Sequence, residues 1–307
     1  MGALRLGVVG AGKIARDQHI PAIAANEALE LVGFVDPVST VDGVRSYPSL
    51  EEMVKNARPA AIAVCTPPRA RYEEARMAIG AGLHVLLEKP PCATVGEVED
   101  LAIRAKSAGV TLYTAWHSQH APAVSVARDW VVAHPVRRIK VDWREDVRRW
   151  HPGQDWIWRP GGFGVFDPGI NALSILTTIL PETVVVEHAR LEFPANCDTP
   201  IAAQLALGTA SFRIDAEFDW RHTGPQTWDI SVEALDGAKM LLSKGGHQIS
   251  IGSQHAHDAL QGEYPSIYRR FAELVSHGLS EVHVEPLRLA ADTFLLAERV
   301  TTEAFVM

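Results

Sequence analysis

Apolar and polar positions alternate in blocks from the start of the chain. Residues 4–9 form a short apolar run that passes straight into Gly10-Ala11-Gly12, and a helical run follows to about Asn26. Residues 30–35 are apolar and β-branched, and residues 59–65 repeat the pattern before Thr66-Pro67-Pro68. A helix is predicted over 70–81, closed by Gly82. The next strand, 84–87, ends in Glu88-Lys89-Pro90-Pro91, because prolines stop a ladder and turn the chain. Thr94-Val95-Gly96-Glu97 is a capping box that opens a helix to about Ala108, and residues 111–116 are strand again. Strands separated by helices of this length predict a parallel, doubly wound sheet.

After His117 the period changes. A helix over 121–133 leads to short β-rich runs at 138–147, 183–193, 201–207, 210–220, 227–234, 238–242 and 248–251. Turn signals such as Asp236-Gly237 and Gly245-Gly246 separate them, which predicts a mainly antiparallel sheet. Asp167-Pro168 opens a helix to about Leu180, and helices over 265–276 and 286–302 close the chain. The expected fold class is therefore α/β: a doubly wound parallel sheet over 1–119, then an α+β domain over 120–307 with a mainly antiparallel open sheet. The C-terminal helix is free to pack back on the first domain.

Chemistry enters at the strand ends. In strand, Gly10-Ala11-Gly12-Lys13-Ile14-Ala15, helix, the first glycine permits the tight turn and the second lets a pyrophosphate approach the backbone. The small third residue lets helix and strand pack closely. A bland glycine turn has the same letters, so the second strand is the test. It ends at Asp36, roughly 20 residues on, where a carboxylate accepts ribose hydroxyls and repels a 2′-phosphate. A turn aspartate before Pro37 is the plainer alternative. Gly10, Gly12, Lys13, Ile14 and Asp36 are thus candidate dinucleotide contacts, with NAD favoured and NADP open. Ligands on such a sheet lie beyond the strand C-termini, where Thr66, Pro67, Glu88, Lys89 and His117 fall. Lys89 is expected where the two domains meet, with Glu88 beside the nicotinamide end.

In the second domain, residues 145–171 crowd Trp150, Trp156 and Trp158 among glycines, prolines, charges and His151. Aromatic faces beside hydrogen-bonding groups suit a sugar ring, although loop anchors or a subunit interface look alike in sequence. Pro168 fits a first helical position, so Asp167 has a ready role as N-cap. Asn171 follows four residues on, beside Asp167, while Ile170, Leu173, Leu176 and Leu180 form the apolar face.

The totals mainly exclude. With 307 residues the chain is long enough for two domains, and a formal charge of -8 argues against nucleic acid as a partner. Cys65, Cys92 and Cys197 are scattered and odd in number, which fits reduced thiols in a cytoplasmic protein rather than a disulfide framework. No apolar stretch reaches a membrane-spanning length, so no membrane partner is expected. His247, His255 and His257 lack a partnering carboxylate at useful spacing, and no metal site is expected.

Three motifs, Gly10 to Ala15, Glu88-Lys89-Pro90-Pro91 and Asp167-Pro168-Gly169-Ile170-Asn171, resemble the family of glucose-fructose oxidoreductase, inositol dehydrogenase and MocA-like proteins. Residues 145–171 and 217–222 are similar, within it, to the bacterial aldose 1-dehydrogenases acting on L-arabinose and D-galactose. That resemblance implies oxidation of a cyclic aldose at C1 to the aldonolactone, with Lys89, Asp167 and Asn171 functional. It implies sugar contacts from Glu145, His151 and His117, with Trp150 and Trp220 lining the pocket, and a cis Lys89-Pro90 bond. Some members of the subgroup prefer NADP and carry a Ser-Arg type of pair after the second strand; Asp36-Pro37 departs from that. An inositol or other sugar dehydrogenase, and a non-catalytic NAD-sensing regulator, are the competing readings. Homo-oligomerisation is left open.

Overall fold

Leucine and valine side chains that no water touches set the first strand: in β1 (Leu4–Val9), Leu6 and Val8 are fully buried. The computed structural model describes residues 2–37, 41–252, 254–256 and 262–306. After β1 a π-helical turn (Ala15–His19) leads to α1 (Ile20–Ala24), β2 (Leu29–Val35), β3 (Ser46–Tyr47), α2 (Leu50–Ala57) and β4 (Ala61–Val64). Then come α3 (Pro68–Gly80), β5 (His84–Glu88), α4 (Val95–Ala108) and β6 (Leu112–Ala115). The strands pair in the order β3-β2-β1-β4-β5-β6, every pair parallel. This is the doubly wound sheet the blocks predict, and the order reverses between β1 and β4, the place where such sheets take nucleotides. The capping box forms as read: Thr94 accepts the Glu97 amide while the Glu97 carboxylate accepts the Thr94 amide, and Gly109 closes α4 in the left-handed region.

The next elements are α5 (Val124–Ala133), β7 (Val136–Arg144), α6 (Val147–Trp150), α7 (Phe166–Ile179), β8 (Val185–Pro194), β9 (Ala202–Gly208) and β10 (Arg213–Asp219). They continue with β11 (Thr227–Ala234), β12 (Lys239–Ser243), β13 (Gln248–Ile251), β14 (Gln254–Ala256), α8 (Glu263–His277), α9 (Glu285–Leu296) and β15 (Glu298–Thr302). The nine-stranded sheet runs β14-β13-β12-β11-β7-β10-β9-β8-β15. It is antiparallel except at β7–β10 and β8–β15. Helix α7, mostly buried, packs on α5, α9 and β7.

Two expectations change. The final helix does not reach residue 302: α9 stops at Leu296, and Glu298–Thr302 is a strand paired parallel with β8. Val300, Thr301 and Thr302 suit the open sheet edge better than a helix turn. The chain also divides differently from a single cut at 119/120. By contacts, Met1–His117 groups with Gln261–Val284, and Ser118–Leu260 with Glu285–Met307. Helix α8 turns Tyr264, Ile267, Tyr268, Phe271 and Leu274 into the same core as Leu6, Val8, Phe34 and Leu86, so it belongs to the first unit.

Candidate active site

The glycine turn is built by close approach. Gly10 has φ +87°, and a Cβ there would lie 2.9 Å from the Thr66 amide nitrogen, so no other residue fits without moving β4. At Gly12 an added Cβ would meet nothing within 4 Å, leaving its backbone open to the approach a pyrophosphate needs. The Ala11 amide donates to Asp36 Oδ2 at 2.8 Å, which fixes the end of β2 against the turn. Gly10, Gly12 and Asp36 therefore come together as the spacing suggests, and a nicotinamide dinucleotide fits them. Ile14 packs inward on the core, Lys13 pairs with Asp17 one turn on, and Pro67 is the N-cap residue of α3. Thr66 Oγ1 donates to Glu74 at 2.5 Å.

Beyond β5 the chain is held from below. Arg71, 4% exposed, donates to the carbonyls of Thr66, Glu88 and Pro90, and the Lys89-Pro90 bond is cis. The Glu88 carboxylate is buried, accepting from Tyr264 Oη at 2.5 Å and lying 3.4 Å from His19 Nε2. His19 Nδ1 meets Tyr268 Oη at 2.6 Å. Burial opposes a charge on His19, but Cys65 and Glu88 outweigh it and raise the ring to about 10. Burial likewise opposes the Glu88 carboxylate, yet its bond to His19, the His19 charge and the charges of His117 and Arg71 lower it to about 2. His117 Nδ1 sits 2.7 Å from Glu263 Oε2, its ring stacked 5.9 Å from Tyr264. Burial opposes the imidazolium there too, and Glu263 outweighs it, so His117 titrates above its ordinary value even though the Lys89 charge pushes the other way. Lys89 itself is part-buried at the strand end.

In the second unit, three predicted residues converge. Helix α7 begins at Phe166 after Val165, so Asp167 is not its N-cap: no side chain caps this helix, and Asp167 stands inside its first turn. The helix starts two residues earlier than Pro168 at its first position would set it. Its Oδ2 lies 3.4 Å from His151 Nε2. The same nitrogen is 3.9 Å from Glu145 Oε1, and His151 Nδ1 is 3.3 Å from Gln154 Oε1. Glu145, 3% exposed, accepts Trp220 Nε1 at 3.0 Å and Trp228 Nε1 at 2.9 Å, one on each oxygen. The Trp220 ring lies 5.1 Å from His151. Trp150 packs 5.5 Å from Trp228, and its Nε1 is buried without a hydrogen-bond partner among the described residues. Gly169 is the closeness device of α7: a Cβ there would lie 2.6 Å from the Phe218 ring. Asn171 sits one turn along, part-buried, its carbonyl accepting Ser174 Oγ at 2.8 Å.

Sequence reasoning missed His19, Arg71, Glu263, Tyr264, Tyr268 and Trp228. The one visible signal was Tyr264 and Tyr268, spaced one helical turn apart with polar tips on an otherwise apolar face. Among the described residues no cluster of three or more His, Cys, Asp or Glu is arranged to hold a metal, and His257 lies outside them. The three cysteines are free, and no described helix is long and apolar enough to cross a membrane.

A parallel nucleotide-binding sheet with this glycine turn, joined to a mixed open sheet, defines a dinucleotide-dependent oxidoreductase. The chain belongs to the GFO/IDH/MocA family: residues 4–116 match its model, described as an oxidoreductase family with an NAD-binding Rossmann fold. It is 45% identical to galactose 1-dehydrogenase of Pseudomonas fluorescens over 307 residues, 99% of each chain. Its structure is similar to that of a D-galactose-1-dehydrogenase protein from Rhizobium etli, with TM-score 0.95, 49% identity and coverage of 100% and 99%. A 3-ketoreductase from Actinomadura kijaniata, 18% identical, shares the fold at TM-score 0.82 over 98% of this chain and 99% of that one.

Proposed function

We propose that this protein oxidises a cyclic aldose at C1, D-galactose foremost, to the aldonolactone. The observation that carries the reading is the group formed by Glu145, His151 and Asp167 beside Trp220, in a chain similar end to end to galactose 1-dehydrogenases. Bound NAD(P) supplies the hydride acceptor. Asp167 takes the proton of the anomeric hydroxyl, Lys89 polarises that hydroxyl and Asn171 orients the ring, while His117 and Trp150 contact the sugar; Trp220, expected to line the pocket, is fully buried and backs His151 and Glu145 instead. L-Arabinose shares the ring stereochemistry of D-galactose at C2, C3 and C4, and is the expected second substrate. The test is purified protein with NAD or NADP and a panel of aldoses and inositols, following nicotinamide reduction. Turnover is expected with D-galactose; turnover confined to inositols, or none with any aldose, would sink the reading and favour the alternatives of a different sugar dehydrogenase or an NAD-sensing regulator.

We infer NAD preference from Asp36, whose carboxylate at the end of β2 is held by Ala11 where a 2′-phosphate would bring a second negative charge. Asp36→Ala is expected to narrow the ratio of NAD to NADP kcat/KM by at least about tenfold, corresponding to ~1.4 kcal/mol. An unchanged ratio would remove Asp36 from the specificity argument. We also infer a homo-oligomer in the cytoplasm, a reading that rests on the family resemblance and on the three free cysteines. Light scattering of the purified protein at one subunit's mass would count against self-association.

A further inference from the structure

We propose that His151 is the relay that carries the proton from Asp167 to solvent, a role that rests on the aldose-oxidation reading. Its ring is set for this by four neighbours. Gln154 Oε1 lies 3.3 Å from His151 Nδ1 and holds the ring from its outer side. The ring's Nε2 lies 3.4 Å from Asp167 Oδ2, within reach of a proton transfer that tightens in the reacting complex.

The groups around the ring come from every side. Asp167 faces it from α7, Glu145 from the end of β7, Gln154 from its own loop, and Trp220 from beyond β10. Glu145 accepts an indole N–H on each oxygen and stands 3.9 Å from Nε2, so it is a fixed negative charge beside an imidazolium rather than a rival carrier of the proton. The His151 side chain is 16% exposed and that of Asp167 9%, so the imidazole is the more open of the two.

The step balances as follows. The O–H bond of the anomeric hydroxyl breaks, and its electron pair becomes the second C1–O bond. The C1–H pair leaves as hydride, which oxidises C1 and reduces the bound nicotinamide dinucleotide. The proton goes to Asp167 Oδ2 and then to His151 Nε2. The imidazolium so formed, with hydrogens on both nitrogens, releases a proton to solvent and returns to the neutral imidazole.

The experiment compares wild type, His151→Ala and His151→Gln across pH, with and without added imidazole. At neutral pH both variants are expected to lose about a hundredfold in kcat for D-galactose, the scale of a lost proton-transfer partner, with the KM for galactose changed far less. Free imidazole is expected to restore part of kcat in His151→Ala, and the acid limb of the kcat profile to move in both variants. NAD binding, followed by fluorescence, reports folding, and His151→Gln serves if the alanine variant does not fold. Unchanged kcat with a raised KM, no imidazole rescue and a wild-type pH profile would reduce His151 to a sugar contact and overturn the relay alone. A wild-type enzyme inactive on every aldose would overturn the parent reading, and the relay with it.

Discussion

Asp167→Asn is expected to lower kcat for D-galactose by about 10²- to 10⁴-fold, the range for removal of a general base, while NAD binding stays near wild type. Asparagine keeps the shape of the side chain and removes only its ability to take a proton. The prediction is sharp because the carboxylate is not occupied in capping α7: it stands in the first turn, 3.4 Å from His151, at the end where the helix dipole favours negative charge. Lys89→Met is expected to produce a loss of similar size, since methionine retains the length of the stem without the ammonium. Steady-state kinetics with saturating NAD measure both. Near-normal turnover in the two variants together would exclude the proposed division of labour between a base and a polarising cation.

The second large effect concerns stability. Glu88→Gln is expected to destabilise the protein by about 3–5 kcal/mol, because it leaves the His19 imidazolium buried without its counter-charge. The urea midpoint of unfolding, read in wild type, each single variant and the double variant His19→Phe/Glu88→Gln, checks this. The double variant is expected to recover part of the loss, since replacing both members of a buried pair removes the orphaned charge as well. A loss below about 1 kcal/mol for Glu88→Gln, with additive effects, would mean that the pair is not coupled.

The same pair predicts a pH window. Glu88 is lowered from 4.5 to about 2, so its contribution is complete above its unfolded value and disappears as pH falls toward 2. His19 is raised from 6.5 to about 10, so its contribution is complete below its unfolded value and disappears as pH rises through 10. Both are fully present only between about 4.5 and 6.5. Stability attributable to this pair, taken as the wild-type minus double-variant difference, should peak there and decline on both sides.

Much of the first unit was legible because its signals are local. A strand, two glycines and a helix occupy adjacent residues, and Asp36 confirms them at a distance that chain geometry fixes. Other features depend on contacts remote in sequence. The apolar face of α8 could be read from its period, but a period does not say which core it enters, and Tyr264 and Tyr268 reach Glu88 and His19 across more than half the chain. Residues 298–302 looked helical as a continuation of α9, and only the free edge at β8 makes them a strand. Asp167 failed as an N-cap because Pro168 marks a first helical turn without fixing the position where it starts. Glu145 and His151 entered the sequence reading through resemblance. The indoles of Trp220 and Trp228, brought beside them by the strand order, explain why a buried carboxylate is tolerated there.

Central to this account is the transfer of hydrogen from C1 of an aldose to the nicotinamide. The most direct measurement uses D-galactose carrying deuterium at C1, with the purified protein and NAD, and locates the label by mass spectrometry in the dinucleotide and in the sugar product. The account predicts deuterium in the reduced nicotinamide, an aldonolactone or its hydrolysed acid without the label, and a slower hydride step than with ordinary galactose. Reduced nicotinamide without deuterium, beside a product that keeps its label at C1, would contradict it.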